Sequence, residues 1–241
     1  MPEISSNISV LEIKDDKAIL TLNNGPKNLL SIPEFFSLDL LKKTIDSNPQ
    51  LKALIITGAG RHFSHGADTS KFSPEGLSEI PENLRKSREL LNYIEALPLV
   101  TAAAVNGGCF GGGMEVAMSC QFRVCSKNAV FALPETSIGV IPGMSGVERL
   151  ARLVGKSKAI SMVLGGNMIS ASEAADLGIA DLVTEEKNCL DKAVEFVTEL
   201  TADRTVLQIR SVVSRVNKAL ASPETDVSDD SFEKILEEKL K

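Results

Sequence analysis

Apolar and polar positions along this chain keep two rhythms in turn, one of strands and one of helices. Residues 8–22, ISVLEIKDDKAILTL, alternate in part on either side of Asp15-Asp16 and predict two strands joined at that turn. NNGPKN, at 23–28, carries the residues of a loop. Phe36, Leu40, Leu41 and Ile45 keep helical spacing, with Pro33 as the opening residue and Asn48-Pro49 as the stop. LKALIIT (51–57) and LVTAAAV (99–105) are short unbroken apolar runs, the pattern of strands buried on both faces. Between them GAGRHFSHGAD (58–68) reads as a loop, 73–82 as a mobile surface segment with two Pro and a Gly, and 83–96 as a helix.

NGGCFGGG (106–113) reads as a tight turn, and Met114 to Cys120 as the helix it opens. Short strands are expected at 122–125 and 129–132, a loop at 136–146, and helices at 147–154 and 157–164. Ser170 and Glu173 form a capping-box pattern ahead of a helix over 171–177, Gly178 stops it, and 180–183 reads as a strand. Leu, Val and Ile at three-to-four spacing predict helix through 189–220. The polar tail closes on a short amphipathic segment with Phe232, Ile235, Leu236 and Leu240. Strands alternating with helices imply an α/β fold with a mostly parallel sheet. We divide it into a core over 1–186 and a C-terminal helical region over 187–241.

Composition narrows the function. With 43% hydrophobic and 24% charged residues, the chain is ordinary globular material, which excludes disorder throughout. A net charge of −6 argues against nucleic acid as the main partner. So does the shortage of stacking side chains, with no Trp and one Tyr. No apolar run approaches the ~18–20 residues of a membrane span. The first residues have neither the basic nor the apolar region of a signal peptide. Cys109, Cys120, Cys125 and Cys189 form no CxxC pair and have no His beside them. Free buried thiols in a reducing cytoplasm are the expectation.

The glycine run invites a dinucleotide reading, but its spacing fails. Glycines are needed at n, n+2 and n+5, and whichever of Gly107, Gly108 or Gly111 starts the count, a required place falls on Cys109, Phe110 or Val116. A P-loop ending at Gly155-Lys156-Ser157 would need glycine where Leu150 stands. A glycine-lined helix N-terminus does offer bare backbone N–H groups and a positive dipole end to an oxyanion, or the glycines serve close packing alone. The loop ending FSHGAD follows a neighbouring buried strand, so both loops face one crevice of an open sheet. Glu115 and Glu135 each stand in apolar company, where desolvation suits a carboxyl to proton transfer near neutral pH. The plainer alternatives are an acid at a helix N-terminus for Glu115 and a cap or salt bridge for Glu135. His62, His65 and Asp68 lack a third His or a nearby Cys, so no metal is expected.

Four segments together resemble the crotonase superfamily, and within it enoyl-CoA hydratase: HFSHGAD (62–68), NGGCFGGGMEVAMSC (106–120), FALPETSIGVIPGMSGVERLARLVGKSKA (131–159) and ISASEAADLGIADLV (169–183). The resemblance implies a crotonase-like spiral of ββα units with a C-terminal helical trimerisation region, assembled as a trimer or dimer of trimers. It implies an acyl-CoA or acyl-carrier thioester as substrate, with coenzyme A arriving on the substrate and no separate cofactor. Position by position, it makes the backbone N–H groups of Ala67 and Gly112 the oxyanion hole, and Glu115 and Glu135 the catalytic pair. His65, Gly66, Asp68 and Gly111, which flank the donors, become substrate-binding positions. A double-bond isomerase using Glu135 alone and a non-catalytic thioester-binding scaffold are the rival readings. The chain departs from the family at His65, at Gln121 and in its C-terminal segment SFEKILEEKLK.

Overall fold

A computed structural model describes residues 4–6, 8–30, 35–69, 80–185 and 189–220. A seven-stranded sheet is ordered β1-β2-β3-β4-β5-β7-β10. Its strands are β1 (Ile4–Ser6), β2 (Ser9–Lys14), β3 (Lys17–Leu22), β4 (Ala53–Gly58), β5 (Val100–Val105), β7 (Phe122–Ser126) and β10 (Leu182–Thr184). From β3 onward neighbours are parallel, and β1 and β2 add an antiparallel edge. A small second sheet joins β6 (Gly108–Phe110), β8 (Val130–Ala132) and β9 (Ile169–Ser170). The helices are α1 (Leu38–Ser47), α2 (Ile80–Ala96), α3 (Gly112–Ser119), α4 (Gly146–Val154), α5 (Lys156–Gly165), α6 (Ala171–Asp176), α7 (Leu190–Thr201) and α8 (Val206–Leu220).

The two unbroken apolar runs are buried on both faces, as expected. In β4, Leu54 and Ile56 enter the large core, while Ile55 enters a second cluster with Ala193 and Val197 of α7 and Ile209 and Val213 of α8. In β5, Ala103 and Val105 face the first cluster, and Ala102 and Ala104 the second. Helices therefore cover both sides of the central strands, which fixes the loops that follow them. All four cysteines are free and buried.

Several boundaries differ from the sequence expectation. Helix α1 starts at Leu38, because the Ser37 side chain accepts the Leu40 N–H and caps it; Phe36 packs into the core ahead of the helix. Helix α2 starts at Ile80. The glycine run contains strand β6, and the loop after β8 opens with a 3-10 turn, Glu135–Ile138. The C-terminal helical stretch is broken into α7 and α8, since Asp203 takes a left-handed backbone (φ 54) and Thr205 caps α8 through Gln208 N–H. Pro33, 73–79 and the tail 221–241 lie outside the described residues.

Candidate active site

Strands β4 and β5 are parallel neighbours, so the loops leaving their carboxyl ends meet. Their main chains interlock. Phe63 N–H donates to the carbonyls of Asn106 (2.7 Å) and Gly108 (3.1 Å), and Phe110 N–H donates to the Ser64 carbonyl (2.9 Å). Gly66 has φ +81, and a Cβ there would lie 2.7 Å from the Phe110 carbonyl and 2.9 Å from the Gly112 nitrogen. A Cβ on Gly113 would come within 2.5 Å of the Ser64 carbonyl. Only glycine permits these approaches.

The interlock leaves two donors side by side. Leu30 pairs with the loop by accepting Asp68 N–H (3.4 Å) and donating to the Gly66 carbonyl (2.9 Å), which turns the Ala67 N–H away from Leu30. Gly112 is the first residue of α3, where an N–H has no intrahelical partner. Neither N–H donates to an acceptor among the described residues. A Cβ on Gly112 would stand 3.7 Å from the Ala67 nitrogen.

Both glutamates reach this helix end. Glu115, one turn into α3, is 2% exposed. Its Oε1 accepts the N–H groups of Met144 (2.7 Å) and Gly146 (2.8 Å). Ser145, between those two, adopts a left-handed backbone (φ 65), a strained conformation that aims both amides at one oxygen. Glu135 sits in the 3-10 turn, where its Oε1 would lie 2.9 Å from a Cβ on Gly111. Its Oε2 is buried without a hydrogen-bond partner among the described residues.

Burial raises both carboxyls above their ordinary range, and for Glu135 the Glu115 charge adds to the rise. The two backbone amides and Arg149 oppose the rise at Glu115. Glu115 is thus the better anion and Glu135 the better acid. One proton held between two such groups is the arrangement a base and an acid need. A stability consequence follows. Above pH 4.5 the unfolded chain releases the Glu135 proton while the folded chain keeps it, so folding weakens as pH climbs toward the folded value. Glu135→Gln should therefore match the parent near pH 5 and gain on it by up to about 1.4 kcal/mol per pH unit until the folded value of about 8, so that it is the more stable protein at pH 9 with no further gain above pH 8. Urea melts at the two pH values check this; equal differences at both would contradict the raised carboxyl.

The other expected positions are placed as follows. Gly66 and Gly111 line the two donors through backbone alone. Asp68 uses its N–H in the Leu30 pairing and is half-buried. The His65 ring packs edge-on against Phe110 (4.9 Å) and His62 (4.6 Å), and burial, with His62 and Lys27 nearby, lowers its pKa. His62 Nδ1 accepts the Gly108 N–H at 3.0 Å, a loop-fixing bond. Sequence reasoning missed Met144, Ser145 and Gly146. Their only signal was the glycine and proline content of the loop that holds them.

The family model for enoyl-CoA hydratase/isomerase matches residues 12–238. The chain belongs to the enoyl-CoA hydratase/isomerase family. It is 33% identical to a short-chain-enoyl-CoA hydratase of Clostridium acetobutylicum, over 83% of this chain and 77% of that one. Among solved structures, an enoyl-CoA hydratase/carnithine racemase from Magnetospirillum magneticum superposes with a TM-score of 0.81 at 26% identity, covering 95% of this chain and 86% of its own. An enoyl-CoA hydratase from Polaromonas sp. JS666 gives 0.78 at 27%, covering 89% and 84%. The crotonase-like α/β fold expected from the motifs is the fold these family members share.

Proposed function

We propose that this family member is a 2-enoyl-CoA hydratase acting on a short or medium acyl chain. The observation that carries the reading is the pair of unshared amides, Ala67 and Gly112, beside two buried glutamates of unequal proton affinity. The thioester carbonyl accepts from both amides. Ionised Glu115 takes a proton from water as the oxygen bonds to C3. The electron pair moves onto the thioester oxygen, where the two amides hold the enolate. Protonated Glu135 then delivers its proton to C2, and the cycle closes when the proton on Glu115 passes back to Glu135. Dehydration runs the same steps in reverse. Every charge in this sequence is met by a group of the chain, so no separate cofactor enters the reading, and coenzyme A or an acyl carrier arrives with the substrate.

An absorbance assay with a panel of 2-enoyl-CoA thioesters tests it. Loss of the conjugated thioester chromophore on short or medium members, with the 3-hydroxyacyl thioester as product, supports hydration, and an unchanged spectrum across the panel overturns it. Movement of the double bond without addition of water would favour the isomerase reading.

The reading extends to assembly and place. No described helix is long and apolar enough to cross a membrane. Buried free thiols fit a reducing cytoplasm. Leu207, Val212, Val216 and Leu220 are exposed along α8, and Leu200 on α7. An apolar face of this kind is covered economically by symmetric copies, with 187–241 as the assembly region. Light scattering at micromolar concentration should give three or six times the chain mass; a monomer mass would refute it.

A further inference from the structure

Arg149 has no part in the steps above, yet it is 3% exposed and all three guanidinium nitrogens are engaged. Nε meets the Glu95 carboxylate of α2 at 2.9 Å. Nη2 donates to the Asn92 side-chain carbonyl at 2.8 Å. Nη1 donates to the Met144 carbonyl at 2.5 Å. That carbonyl belongs to the peptide between the two that grip Glu115, at the strained Ser145 turn.

We propose that Arg149 is a positioning residue for the hydration step, clamping the Met144 carbonyl so that the Met144 and Gly146 amides stay on Glu115. The proposal rests on the reading of Glu115 as the base. An ion pair with the half-exposed Glu95 would need one arm of the guanidinium. The arm on Met144 serves no ion pair, and a single lysine nitrogen could not reach three such partners at once. Without the clamp, a left-handed Ser145 is free to relax, and each amide that turns away removes a bond that favours the ionised carboxylate. The cation also favours that form through its field.

The other charged and titratable groups around Glu115 do not supply this. Glu148 on α4 is negative and opposes ionisation, and Glu135 in the 3-10 turn, which holds its proton while Glu115 is ionised, brings no positive charge. On α2, Glu95 is shared between Arg149 and Arg152. Arg123 on β7 is paired with Asp181. Strand β6 offers only the Cys109 thiol, and β5 carries no titratable side chain.

The test is the pH profile of kcat/KM for 2-enoyl-CoA hydration, with thermal melts alongside. The acidic limb reports ionisation of the base in the free enzyme. Arg149→Gln should move that limb up by about one pH unit, with kcat falling more than KM changes. Glu95→Gln should move it the other way, because Arg149 then keeps its clamp and loses its counter-charge. An unmoved limb in both variants, with only the melting temperature of Arg149→Gln lowered, overturns the proposal and leaves Arg149 a packing residue. Should Arg149→Gln fail to fold, the direction of the limb in Glu95→Gln decides alone. In Glu115→Gln the limb should vanish; a limb that persists there overturns the assignment of the base, and the role of Arg149 with it.

Discussion

Glu115→Gln and Glu135→Gln should each lower kcat for enoyl-CoA hydration by roughly 10²–10⁴, while thioester affinity changes little. Glutamine keeps the shape of each side chain and a carbonyl oxygen to accept the Met144 and Gly146 amides, so the loop that grips Glu115 has no reason to move. What disappears is proton transfer. The two losses should not multiply in the double variant, because the pair works as one unit. Steady-state kinetics with a separate thioester-binding titration read both quantities. Full hydratase activity in Glu115→Gln would end the two-glutamate mechanism. Isomerisation that depends on Glu135 alone, in a protein that does not hydrate, would give the site to the rival reading.

Gly112→Pro should raise the barrier by about 2.7–4 kcal/mol by deleting one oxyanion donor. The donor is main chain, so proline is the one natural substitution that removes it. Position 112 is the first of α3, where proline is tolerated. Gly112→Ala is the matched control. It keeps the N–H, and its Cβ meets the ends of two flexible side chains, Met144 Cε at 2.8 Å and Leu30 Cδ1 at 3.3 Å. A folded proline variant as fast as the alanine variant would place the hole elsewhere.

Much of this was legible in the chain. The doubly buried strands β4 and β5 announce themselves as unbroken apolar runs, and the capping box at Ser170 and Glu173 forms as its pattern predicts. Helix α1 enters at Leu38 and not at Pro33, because the hydroxyl that caps it belongs to Ser37. The break between α7 and α8 carried its own signal, Thr205 three residues before Gln208, which side-chain periodicity overrode. The two glutamates were visible as carboxylates in apolar company. Their inequality was not, because it depends on amides 29 and 31 residues away from Glu115 in the chain. Local sequence carries no term for a contact of that separation. Arg149 stood in plain sight without a role for the same reason.

The interlocked loops bear on how this protein can change over generations. Where Gly66 faces the Phe110 carbonyl and Gly113 the Ser64 carbonyl, backbone rests on backbone and not one methyl group can be inserted. Point mutation at Gly66 or Gly113 therefore breaks the contact that holds the two loops together, and cannot shift the donors by small steps. Side-chain exchange keeps its purchase beside the donors, at Leu30 and Met144, whose ends already touch the space above Gly112. A lineage can thus explore new thioesters by trading those two residues while the carbonyl-binding geometry is inherited intact.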